Sequence, residues 1–173
     1  TFIALTSQYT LRQPVRIKQK VKVSVDRMVC TLSDDEGPNN DADMDRFSLT
    51  LAAANAVKEA GGVKQVPIQL PDPKLYAWAT AGDVTVKVGY VWQVDRSKVI
   101  TFDTDPDLYD FDKATLTVGG YGREYDTSSR NEEGRGGIVL EGSQFFENGG
   151  LHKFQITSAD FIFEVYVTLT AEG

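Results

Sequence analysis

Along VRIKQKVKVSV, Val15, Ile17, Val21, Val23 and Val25 fall on one parity, and Arg16, Lys18, Lys20, Lys22 and Ser24 on the other. A period of two sends successive side chains to opposite faces of a sheet. The stretch therefore predicts a strand with an apolar face and a cationic face. The alternation dissolves near Ser33 and returns at Phe47, Leu49 and Leu51, and six carboxylates crowd into the thirteen residues from Ser33 to Asp45. Two strands joined by an acidic connection are the unit to which the rest of the chain must fit.

Later runs extend the pattern. Val66, Ile68 and Leu70 alternate with Gln65, Pro67 and Gln69, and the proline confines that run to a sheet edge. In DVTVKVGYVWQV, Val84, Val86, Val88, Tyr90, Trp92 and Val94 share a parity and predict one long strand. Further strands are predicted around Leu116 and Val118, around Ile138 and Leu140, around Phe154 and Ile156, and from Phe161 to Leu169. LAAANAVKEA, residues 51–60, is rich in alanine and closed by Gly61 and Gly62, which predicts a short helix. Residues 1–13 read as an edge strand or a leader. The fold expected is all-β, an antiparallel two-sheet β-sandwich of about eight to ten strands with at most one short helix. With 173 residues and 41% hydrophobic content, the chain is expected to form a single domain, 1–173.

A net charge of −7 offers no long-range attraction to nucleic acid. The one cysteine, Cys30, has no partner for an internal disulfide and sits at the end of an apolar run, where a small buried hydrophobe is expected. No apolar run is long enough for a transmembrane helix. The chain lacks an initiator methionine and reads as a processed chain or an excised domain; it is expected to be soluble, and its localisation is left open, with a secreted chain and one peripheral to a membrane both compatible. An enzyme is not expected: the single histidine, His152, lies in Gly-Leu-His-Lys-Phe with no nucleophile elbow and no zinc-ligand spacing.

What remains is carboxylate chemistry. A second acidic stretch, DTDPDLYDFD, carries Asp103 and Asp105, and a third, REYDTSSRNEE, carries Glu124, Asp126 and Glu132. In a sandwich, alternate connections gather at one end. If these three converge, they form a many-oxygen site suited to calcium, which takes six to eight oxygen ligands. The linear pattern is not an EF-hand, because Asp41, Asp43 and Asp45 are followed by Arg46 where the loop glycine belongs and by Ala52 where the final glutamate belongs. The plain alternative is that Asp and Asn form turns and keep loops soluble.

Asp35-x5-Asp41 between alternating strands, with Glu124-x-Asp126-x5-Glu132 after a later strand, resembles the calcium- and phospholipid-binding C-two domain, conserved region two of protein kinase C. That resemblance implies ligand roles for Asp35, Asp41, Glu124, Asp126 and Glu132, with Asp103 and Asp105 as an alternative match. It further implies docking to an anionic membrane or partner surface, with Met44, Tyr109 and Phe111 reaching into the interface. The Arg16, Lys18, Lys20 and Lys22 stripe would then supply a second contact. Glutamate stands at two positions where the family has aspartate, and the Pro-Tyr pair after the second loop aspartate is missing. The sequence also resembles, more loosely, the C-terminal sandwich modules of bacterial pore-forming cytolysins. The competing expectation is a structural or interaction module of a surface assembly or toxin, with solvated loops and no ion.

Overall fold

The alternating runs become nine antiparallel strands in a computed structural model that describes residues 17–34, 40–127 and 130–173. They are β1 (Lys18–Ser33), β2 (Ala42–Glu59), β3 (Gly62–Pro67), β4 (Lys74–Val86), β5 (Val91–Asp103), β6 (Thr115–Glu124), β7 (Glu133–Glu141), β8 (Leu151–Thr157) and β9 (Phe161–Glu172). Pairing follows the order β3-β2-β6-β7-β8-β9-β1-β5, with β4 also on β2 beyond the end of β3. A single register pair, Arg135 with Thr157, joins β7 to β8. The sheet therefore folds over at that seam into two layers, and the expected all-β sandwich is the architecture observed. Arg16, Asp35 and residues 1–13, on which expectations were placed, lie outside the described residues.

Two expectations about elements are corrected. Residues 51–60, read as a helix, belong mostly to β2: Ala52, Ala53 and Ala54 pair with Thr117, Leu116 and Thr115 of β6, while Ala54 to Glu59 pair with β3. Alanine's helix propensity is worth only tenths of a kcal/mol per residue, so hydrogen-bonded neighbours override it. The only helical elements among the described residues are three short 3-10 turns. The run from Val84 to Val94 is not one strand. It reverses at Lys87–Tyr90, where Tyr90 N–H donates to the Lys87 carbonyl at 2.9 Å and Gly89 adopts φ 90°. Positive φ at the third residue of a four-residue turn is the type II geometry that glycine favours.

The core is organised by two aromatic groups. Phe47 of β2 meets Trp92 of β5 at 4.8 Å and Phe163 of β9 at 4.9 Å between ring centroids, so it spans both layers. Trp78 adds to this group, 4.6 Å from Trp92, and the Trp92 indole donates to the Tyr76 hydroxyl at 3.0 Å. Toward the other end, Phe102, Phe111 and Phe145 form a triangle with centroid separations of 5.3 to 5.8 Å.

Cys30 lies in this interior, and burial pushes its thiol pKa up to about 11. The unfolded chain, near the ordinary 9.0, releases that proton at lower pH than the native state does. Stability from this group is therefore complete below pH 9 and declines between pH 9 and 11, by on the order of 2 kcal/mol. Iodoacetamide at pH 8 is expected to leave the native chain unmodified and to alkylate it once urea unfolds it. Rapid labelling of the native protein would contradict this placement.

Candidate loop-end site

β1 climbs to Ser33, β2 descends from Ala42, β6 climbs to Glu124 and β7 descends from Glu133. The first and third acidic stretches are consequently at one end of the sandwich. Hydrogen bonds tie them together. Tyr125 N–H donates to the Asp43 carbonyl at 2.7 Å, Asp43 N–H to Glu124 Oε1 at 3.2 Å, and Glu124 N–H to the Glu132 carbonyl at 2.9 Å. Asp34 N–H reaches the Asp160 carbonyl at 2.9 Å, which brings the β8–β9 turn to the same end. Ser33 Oγ closes the base of the first loop by donating to the Asn40 carbonyl at 2.7 Å.

Within this end, Asp41, Asp126 and Glu132 are half-buried, whereas Glu124 is buried. The Asp43 carboxylate accepts from Thr85 Oγ1 at 2.5 Å. Asp126 N–H donates to the Asn131 side chain at 3.1 Å, shaping the turn between β6 and β7. Asp45 faces away from the cluster and takes both Nε and Nη2 of Arg123, at 3.0 and 2.5 Å. That bidentate bond holds the Arg123 guanidinium even more firmly protonated than usual. Among the described residues, no three of His, Cys, Asp or Glu are grouped so as to hold a metal ion.

The convergence of all three acidic stretches is corrected. Asp103 pairs in register with Lys18 at the start of β1 and accepts from the Asn55 amide, so Asp103 and Asp105 lie at the opposite end from Asp41 and Asp126. The expected interface residues move as well. Met44 is fully buried, Phe111 packs on Phe102 and Phe145, and Tyr109 bridges to Val57 at the far end. Met44 lies beneath the acidic tip, opposite Glu124, but faces the core, and Tyr109 and Phe111 are at the other end. Lys18, Lys20 and Lys22 do fall on the outward parity of β1, where Lys18 stands opposite Asp103 and Lys20 opposite Glu172.

Val88 and Tyr90, which the periodicity placed on the apolar face of one long strand, flank the tip instead, together with Tyr125. Val88 is 63% exposed and Tyr90 42%, both in the β4–β5 turn, and Tyr125 is 42% exposed at the end of β6. Tyr90 is anchored there by the Cys30 N–H, which donates to its carbonyl at 2.9 Å, and Gly89 N–H returns a bond to the Cys30 carbonyl at 2.8 Å. The signal available in the sequence was Gly89 beside two large apolar residues.

No family model and no curated protein sequence matches the chain. Among solved structures, the chain is similar to the C-two A domain of a plant extended synaptotagmin 1, at 16% identity and a TM-score of 0.35, over 94% of this chain and 99% of that one. That superposition is too loose to carry an argument about family or function.

Proposed function

We propose that this chain is a non-enzymatic binding module whose acidic loop end binds calcium and thereby docks to an anionic membrane or partner surface. The observation supporting the reading is the hydrogen-bonded apposition of the β1–β2 and β6–β7 connections, with Asp41, Asp126 and Glu132 among them. Asp103 and Asp105 have no part in it. Bound calcium would supply open coordination positions for phosphate or carboxylate oxygens of the target. Val88, Tyr90 and Tyr125 flank the same end and supply apolar contact where such a surface meets water. No helix of the described residues is long and apolar enough to cross a membrane.

The second reading, an interaction module with solvated acidic loops, is favoured by one observation. Asp43, Asp45 and Glu124 already accept hydrogen bonds from the protein's own donors, and no described trio is grouped for a metal. Thermal melting with added calcium separates the two. An ion bound only by the folded state, at about 100 times its Kd, adds about 2.7 kcal/mol and should raise the midpoint by about 5–11 °C. Co-sedimentation with phosphatidylserine vesicles should then appear with calcium and vanish with chelator. An unchanged midpoint at millimolar calcium, with sedimentation indifferent to chelator, supports the second reading.

A further inference from the structure

On the outer face of the first layer, register sets Arg46 of β2 directly opposite Arg123 of β6, and Tyr121 of β6 opposite Arg135 of β7. Like charges directly opposite one another cost stability. The register shift between Met44 and Arg46 turns Asp45 toward this face, and its buried carboxylate neutralises Arg123. Arg46 is exposed, and none of the ion pairs among the described residues, Lys98 with Asp72, Arg123 with Asp45 and Lys153 with Glu164, includes it. Arg135 is also exposed, with its guanidinium 4.8 Å from the centre of the Tyr121 ring. Glu133, opposite Arg123, accepts from the Tyr121 hydroxyl at 3.0 Å, and Glu141 shares the outward parity farther along β7.

Beside these cations runs a shallow trough of about 270 Å³, walled by Ser48, Thr50, Tyr121 and Arg135 over a floor that includes Gly119. Ser48 and Thr50 bring two hydroxyls to the trough and Tyr121 a ring, with Thr50 Oγ1 lying 3.0 Å from where a Cβ on Gly119 would stand. We propose that this trough and its arginines bind an anionic glycan, a polyhydroxylated chain bearing sulfate or carboxylate groups. Guanidinium forks match planar or tetrahedral oxyanions through paired N–H donors, and Ser48 and Thr50 offer partners to sugar hydroxyls. Nucleic acid fits less well, because the trough has one aromatic ring rather than a row for stacking bases. The site is on a sheet face rather than the loop end, so it does not rest on the calcium reading.

The test is calorimetric titration of the full chain with heparin oligosaccharide in the presence of chelator, with neutral dextran as control. Binding is expected to heparin alone and to weaken steeply between about 0.05 and about 0.5 M salt. Arg46→Ala and Arg135→Ala should each weaken it at least about tenfold, with thermal midpoints confirming that both variants fold. The double variant Lys20→Ala, Lys22→Ala, altered on the other layer, should bind like the parent. The proposal is overturned by absence of heparin binding at low salt, by binding that both arginine variants retain, or by binding that the lysine variant loses. Equal uptake of dextran, or preferential capture of anionic vesicles through Arg46 and Arg135, would also overturn it.

Discussion

Gly136→Ala is expected to lower the thermal midpoint by about 6–12 °C, a loss of about 3 kcal/mol. A methyl group built on Gly136 overlaps the backbone carbonyl of Gln155 in β8. Neither partner is the flexible end of a side chain, so relief requires β7 and β8 to separate. Because Arg135 with Thr157 is the one register pair across this seam, separation there loosens the fold between the layers. Related contacts explain the glycine spelling of the β6–β7 hairpin, since Gly120 abuts Ile156 and Phe154, and Gly134 abuts Phe161. Gly82→Ala is the control, because a Cβ there meets nothing within 4 Å. Equal melting of the two variants would refute the seam.

Phe47→Ala should cost about 4 kcal/mol, or about 8–16 °C in midpoint, through lost burial and a cavity between the layers. Phe47 is 1% exposed and stacks against rings from β4, β5 and β9. The same change removes a neighbour from both Trp78 and Trp92, so native tryptophan fluorescence should shift to the red as the indoles gain solvent. Truncating exposed Val88 should leave melting and fluorescence within error of the parent. A Phe47→Ala chain that melts like the Val88→Ala chain would contradict the bridging role.

The residues that announced themselves in the sequence were those whose period of two runs unbroken in one element. Phe161 to Leu169 alternates cleanly, and its hairpin with the Phe154 and Ile156 strand is observed. Val21, Val23 and Val25 are buried as the alternation requires, but the parity then slips, and Met28 and Cys30 point inward across a bulge at Val25 to Met28. Bulges add a residue without altering composition, so a periodic reading passes over them.

The β4–β5 turn was hidden for a complementary reason. It consumes four residues, Lys87 to Tyr90, so Val86 and Trp92 keep the same parity on either side of it. Its consequence reaches the candidate site. One unbroken strand would have carried Asp103 onward toward the end that Val86 reaches, whereas the reversal sends it back to pair with Lys18. Asp41 and Asp126 share an end because β2 and β6 pair antiparallel with Met44 opposite Glu124, although β1 and β2 themselves lie in different layers. The position of Asp103 depended on a reversal that only Gly89 marked.

What the acidic tip does when calcium is added is the most direct test of its proposed role, and an amide NMR titration reads that residue by residue. The prediction is saturable shift changes confined to Asp34, Asp41 to Asp43, Glu124 to Asp126, Asn131, Glu132 and Asp160, with the amides of Asp103, Asp105 and Tyr109 unmoved. Spectra that do not change at millimolar calcium, or changes centred on Asp103 and Asp105 at the opposite end, would contradict it.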